Sequence, residues 1–455
     1  MAVYTIGDGW TGALGTGSLE SFAAGHDDQE EPDSDQPFKI HDGPVTAAAA
    51  GWGHTAFVSN GDLHVCGRPH ELSSLLRLKR FPKFMRMYAV NHALKYNNND
   101  DAMVASSPSF AGKVVEWLVG SDQGPDGSWE AARRTSVLVT PTRIALPDGQ
   151  KPSMESAKSL DISAGLTAVI TDKGNVLTLG MNHRGQCGIG ETSTNVWTPQ
   201  QVKGLSSHFA DEGRAKLEQE YPVTQVALGL QHGMALNTKG HLYVWGKAER
   251  GQLGLKDNVK DSIPFAKRLA NFRMPGTEGS QQWSQDVTIT SIAAGMNHSA
   301  ARSDDNIVFV FGKNIAPPSE KGKLVQDSSF PIPVKGLPEN KEVIDISCGS
   351  HHTAMLLEDG SVYAMGVATD DTKPILEAIE LIPPGVVDMP VRQFQAHFDR
   401  TTIVGKNGDQ VLQAHLWSDP ELRKYSMFTP TWMDHFSTVR AVHRGWLHTV
   451  VVTDS

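Results

Sequence analysis

The chain has 455 residues, 39% of them hydrophobic and 20% charged, with 43 Gly, 25 Pro and a formal net charge of −10. That balance describes a turn-rich globular protein with a distributed core, and it argues against nucleic-acid binding, which rests on a basic patch that displaces counterions from phosphates. No run of 18 apolar residues exists, and the start has neither the basic region nor the apolar stretch of a secretion signal, so we expect no membrane contact.

Taken in chain order, the first predicted element is half a repeat: a strand from Met1 ending at Gly7. Glu20 to Asp42 follows, with a run of like charges between Asp27 and Asp35, and predicts a mobile acidic loop at about 20–42. A whole copy of a pattern then opens with the small residues Ala47 to Ala50, turns at Gly51, continues through Trp52 and His54, and ends at Gly67. Small side chains and glycine suit a strand crowded against a central axis.

From about 70 to 150 the pattern breaks. Either this stretch is a degenerate blade with Val114 to Gly120 as its inner strand, or it is a long insertion within one blade, which is the reading we favour. Glu71 to Lys79 reads as a short amphipathic helix carrying Arg77 and Lys79, with a solvated face as its ordinary role.

Regular copies resume at Ile162 with Gly165, at Val226 with Gly229 and His232, at Ile292 with Gly295 and His298, and at Gly349 with His352. A weaker copy has Ala396 and Asp399 where Gly and His stand elsewhere. From Ala168 onward, equivalent positions recur at roughly 47 to 66 residues, in the range of propeller blades. Within each copy, apolar runs bounded by turns such as Lys239-Gly240 signal strands joined by tight hairpins. The chain ends on Gly445, Trp446, His448 and Val450 to Val452, which is the missing half of the unit begun at Met1. A repeat divided between the two ends suits a circular array, because pairing the last strand with the first removes exposed edges. We therefore predict an all-β fold, one domain over 1–455: a seven-bladed propeller of four-stranded antiparallel blades, closed by N- and C-terminal strands sharing one blade, with eight blades as the alternative.

The strand ending in Ala-Ala-Gly or Ser-Cys-Gly, the following His-Thr-Ala, the Val-Tyr-x-x-Gly strand and the Gly-Gln-Leu-Gly turn at Gly251 to Gly254 resemble repeats of the regulator of chromosome condensation family. The resemblance implies the same closed seven-bladed ring. It leaves function open, since one architecture hosts unrelated activities.

His54, His232, His298, His352 and His448 share one repeat position, so they form a circle, and we expect them to satisfy backbone groups and not to ligate metal or move protons. Cys66, Cys187 and Cys348 have no metal-ligand spacing and read as reduced packing residues in a cytoplasmic or nuclear protein. No nucleophile elbow or phosphate-binding glycine loop is present, so we expect no catalytic residue, cofactor or metal. Trp52 and Trp446 follow the turn glycine in neighbouring blades, and Arg444 precedes one of them; together they make a candidate anchor for a protein partner, with packing between blades as the alternative. The main functional expectation is a non-enzymatic propeller that docks a protein on one rim. The alternative is a guanine nucleotide exchange factor for a small GTPase, whose site looks like an ordinary docking surface. A chromatin or light-sensing role fits least, given the acidic charge and the missing motifs.

Overall fold

Tight turns set the strand pattern. Gly61, Gly174, Gly240, Gly360 and Gly408 take φ between 73° and 82°, and Asn306 takes φ 59° at the equivalent place, so each hairpin reverses through a left-handed residue. The computed structural model describes residues 1–7, 13–16, 36–68, 138–144, 146, 156–205, 221–255, 261–275, 283–284, 287–317, 325–368, 374–423, 427–445 and 448–454.

Seven four-stranded antiparallel sheets follow one another around a ring. From the innermost strand outward, blade 1 is Ala47–Ala50, His54–Ser59, Asp62–Gly67 and Leu138–Ile144; blade 2 is Ala157–Ile162, Leu166–Thr171, Val176–Met181 and Asn195–Gln201. Blade 3 comprises Val223–Leu228, His232–Asn237, Leu242–Lys247 and Ser262–Leu269, and blade 4 comprises Ile289–Ala294, His298–Ser303, Val308–Ala316 and Gln326–Pro333. Blade 5 is built of Val343–Cys348, His352–Leu357, Val362–Val367 and Pro374–Ile382, and blade 6 of Gln393–Ala396, Arg400–Val404, Val411–His415 and Met427–Phe428. Blade 7 takes Ala441–Arg444 and His448–Thr453 from one end of the chain and Ala2–Gly7 and Phe38–Asp42 from the other.

The closure is a continuous antiparallel register from Ala2 opposite Thr453 to Gly7 opposite His448, with Tyr4 opposite Val451. Each innermost strand packs on the next, and Ala441–Arg444 packs on Ala47–Ala50 to complete the circle. The ring thus has seven blades and not eight. The long interruption falls inside blade 1, between its third strand and Leu138–Ile144. Phe38–Asp42 and Leu138–Ile144 are outer strands, so both interruptions are shorter than the sequence suggests. The segments predicted at 71–79 and 114–120 lie outside the described residues.

Apolar faces of adjacent blades make the core. Met234, Val244, Ala301, Phe309 and Phe311 fill the seam between blades 3 and 4. Trp245 is fully buried between blades 2 and 3, and its Nε1 donates to the carbonyl of Gln186 at 2.8 Å, so the ring's one polar atom is paired. Cys66 and Cys187 are buried and no cysteine is in a disulfide.

One hydrogen bond fixes the repeat register in all seven blades. The N–H at the turn position donates to the carbonyl three residues on: Gly51 to His54, Ser163 to Leu166, Gly229 to His232, Gly295 to His298, Gly349 to His352, His397 to Arg400 and Gly445 to His448, at 2.8 or 2.9 Å. Two alignments read from the sequence are corrected by it. In blade 2 the turn residue is Ser163 and not Gly165, and in blade 6 His397 and Arg400, not Ala396 and Asp399, stand in the Gly and His places.

The corrected register has a steric reason. A Cβ on Gly229 would lie 2.0 Å from the Cε1 of His232, and on Gly349 2.3 Å from that of His352, so a histidine folded back over the turn excludes any side chain there. Blades 2 and 6 have Leu166 and Arg400 in place of the histidine, and they are the two that carry a side chain at the turn, Ser163 and His397.

Four of these histidines clasp blades together. The Nε2 atoms of His54, His232, His352 and His448 lie 3.0, 2.9, 3.2 and 2.9 Å from the hydroxyls of Thr167, Ser299, Thr401 and Thr55, each on the following blade. Ser299 and Thr55 donate their own hydroxyl protons to the carbonyls of Gln252 and Ala13, so His232 and His448 are the donors to them through Nε2–H. The expected structural role holds, but the ring partner is a neighbouring hydroxyl, not the backbone. Burial alone pushes His232 down to about 3 and leads the shift of His448 to about 4.

Candidate protein-docking site

The seven innermost strands enclose a central cavity of about 430 Å³, walled by stretches such as Ser159 to Ser163, Thr224 to Leu228 and Asp345 to Ser350. Polar side chains of these innermost strands tie neighbouring strands. Asp161 accepts from the N–H groups of Leu228 at 2.7 Å and Ile162 at 2.9 Å, Ser347 accepts from Ala396 at 2.8 Å, and Gln393 accepts from Val442 at 2.6 Å. Burial pushes the Asp161 and Asp345 carboxyls up to about 6. These groups are occupied by the fold, so the wall is mortar more than a chemical site.

The mouth of the cavity is different. Trp52, in the turn of blade 1, packs against Ala164 and Met181 of blade 2, and its ring meets Phe398 of blade 6 edge-on at 5.5 Å. The indole therefore spans the opening, past blade 7. Arg444 closes the innermost strand of blade 7; its N–H donates to His397 Nδ1 at 3.1 Å, and its Nε lies 4.0 Å from Asp399. Trp52 and Arg444 line the same cavity. Trp446 lies outside the described residues.

Sequence reasoning missed the four residues that complete this corner: His397, Phe398, Asp399 and Arg400. Arg400 forks onto Asp399 at 3.1 and 3.3 Å, reaches Gln413 at 3.3 Å, and lies with its guanidinium carbon 5.4 Å from the centre of the Phe428 ring. Burial raises the Asp399 carboxyl, but the Arg400 charge and hydrogen bonds, with Arg444, outweigh it and hold the group below the usual carboxylate range. His415 is lowered first by burial and then by Arg400. The signal was present in the sequence as the weakest copy of the repeat, where charged residues replace the pattern.

Strand register shows which face this is. His54 pairs with Gly67, so the chain leaves for the long interruption at the Trp52 end of blade 1. Gly7 pairs with His448, so the acidic interruption also departs from that face. Among the described residues no group of three His, Cys, Asp or Glu is placed to hold a metal, and burial pushes the Cys66 and Cys348 thiols up to about 12, leaving them protonated at neutral pH. No helix among the described residues is long and apolar enough to cross a membrane.

Ring, clasps and open rim define a seven-bladed repeat propeller with a loop-bearing face. Two family models of the Regulator of chromosome condensation repeat match the chain, one at 173–236 and 239–302, the other at 223–252 and 343–369, so these stretches carry repeats of that type. The chain is 32% identical over 200 residues to the probable E3 ubiquitin-protein ligase HERC6 of Homo sapiens, covering 43% of this chain and 17% of that protein. It is 27% identical over 218 residues to the secretion-regulating guanine nucleotide exchange factor of Bos taurus, covering 46% and 40%. The chain thus spans less than half the length of either relative. The crystal structure of human WBSCR16 superposes over 100% of this chain and 99% of that one, with a TM-score of 0.63 at 17% identity, which shows a common fold.

Proposed function

We propose that this chain is a non-enzymatic interaction propeller that docks a protein partner on the face carrying Trp52, Arg444 and, by sequence, Trp446. The observation that carries the reading is convergence: the two aromatic side chains over the cavity mouth, the Arg444 guanidinium and the departure points of both interruptions share one face. Loops on a rigid ring are where recognition concentrates, and Trp and Arg supply large contact area with directional bonds.

Guanine nucleotide exchange on a small GTPase is the second reading, favoured by the similarity to a protein named for that activity. It asks for no chemistry from the propeller, only preferential binding of the nucleotide-free GTPase. Release of labelled GDP from a panel of small GTPases separates the two. Acceleration by micromolar propeller that is lost in Trp52→Ala identifies the partner as a GTPase and the face as the site. An unaccelerated panel removes exchange. Docking itself fails if Trp52→Ala and Trp446→Ala leave every captured partner unchanged while lowering the unfolding midpoint, because both indoles are then packing groups.

A further inference from the structure

Residues with a structural task recur around a ring, so a blade that abandons the pattern at several adjacent positions has been given another task. Blade 2 shows plain drift: Ser163, Ala164, Gly165 and Leu166 replace the turn with small and apolar groups. Blade 6 does the opposite. At the same four positions it carries His397, Phe398, Asp399 and Arg400, and Arg444 reaches in from blade 7.

The result is two guanidiniums converging on one carboxylate at the edge of the cavity mouth. The side chains of Arg400 and Arg444 are only 16% and 18% exposed, whereas Asp399 is 39% exposed and stands outermost. Arg400 is held over Phe428 and by Gln413 and Asp399, so its fork is already oriented and little side-chain freedom remains to be lost on binding. Their charge is felt nearby: beyond burial, Arg400 disfavours charge on His415, and Arg444 does so on His397 and His448. Within a chain of net charge −10, this corner is locally cationic and lies beside an aromatic wall.

We propose that the corner between blades 6 and 7 binds an acidic segment of a protein partner, seating an aspartate or glutamate carboxylate between Arg400 and Arg444 and an apolar neighbour on Trp52 and Phe398. The proposal rests on the docking reading and deepens it by giving the partner's chemistry. Asp399 then acts as a built-in competitor: it occupies one side of the guanidinium pair until a second carboxylate shares it. Charge-assisted pairing of this kind is strong where the guanidiniums are partly desolvated, and it weakens with salt.

The full chain is titrated by fluorescence anisotropy against a labelled pool of 12-residue peptides with central Glu and Asp and random apolar flanks, alongside matched pools carrying Gln or Lys. The acidic pool is expected to bind at least tenfold tighter than the Gln pool. Arg400→Gln and Arg444→Gln each weaken it at least fivefold. Asp399→Asn tightens it at least threefold, an opposite sign that a merely structural role does not produce, and one that decides the matter if Arg400→Gln fails to fold. Equal binding of the three pools, no binding of the acidic pool, preference for Lys, or weakening by Asp399→Asn overturns the proposal. If all pools bind and all are lost in Trp52→Ala, the docking face stands and its acid preference falls.

Discussion

Blades 3 and 6 solve the same turn in opposite ways. In blade 3, His232 folds over Gly229 and donates its Nε2–H to Ser299 of the next blade, so glycine is compulsory. In blade 6, Arg400 swings outward onto Asp399 and Phe428, the space over the turn is released, and His397 fills it while accepting the Arg444 N–H. The lesson is that glycine and histidine are one steric unit. Losing the histidine from a blade costs a clasp and frees the turn to carry a side chain that faces the cavity mouth.

The sharpest way to break this comparison is Gly229→Ala, whose methyl would lie 2.0 Å from His232 Cε1 and 2.5 Å from the Gly295 carbonyl. We expect a loss of ~3 kcal/mol in urea unfolding, while Ser163→Ala in blade 2, where Leu166 replaces the histidine, stays within about 0.5 kcal/mol. Similar losses at the two sites would dissolve the steric pairing.

Acid tests the buried histidines together. His232 and His298 are pushed by burial to about 3, and His352, His443 and His448 to about 4, all below the ordinary 6.5. The unfolded chain therefore binds more protons than the folded one between the two ranges. Stability is full above about 6.5 and falls as pH drops through 6 toward 4. Asp161 and Asp345, raised to about 6, act in the opposite sense over part of that window, but five histidines outweigh two carboxyls. The melting temperature should fall from pH 7 to pH 5, and a rise would mean that the carboxyls dominate.

The smallest effect isolates a single clasp. Thr55→Val removes the acceptor for His448 and the donor to Ala13, and should cost about 1 to 2 kcal/mol in the same unfolding measurement. No change would leave the seam between blades 7 and 1 to packing alone.

Closure of the ring was legible because the divided repeat matches a whole copy residue for residue, and strand pairing is local information once the two ends are joined. The alignment of blade 2 failed because Gly165 is a glycine with φ 67° two places beyond the turn, an attractive marker for a pattern anchored on glycine when the histidine has become Leu166. The corner formed by Trp52, Arg444 and residues 397–400 was half legible. Trp52 and Arg444 stand in recognisable repeat positions, whereas the meeting of Trp52 with Phe398 spans two non-adjacent blades, which no periodicity records. Seven against eight blades could not be decided from spacing, since the outer strand Leu138–Ile144 joins blade 1 only through pairing with Leu63, His64, Val65 and Gly67.

The shared blade also governs how the molecule is made. Ala2–Gly7 lies between Phe38–Asp42 and His448–Thr453, so this earlier strand keeps one bare edge until the strand at 448–453 has left the ribosome. At ordinary elongation rates that wait lasts roughly 20 to 90 seconds, during which the nascent crescent exposes two unsatisfied borders to chaperones and to its neighbours on the same message.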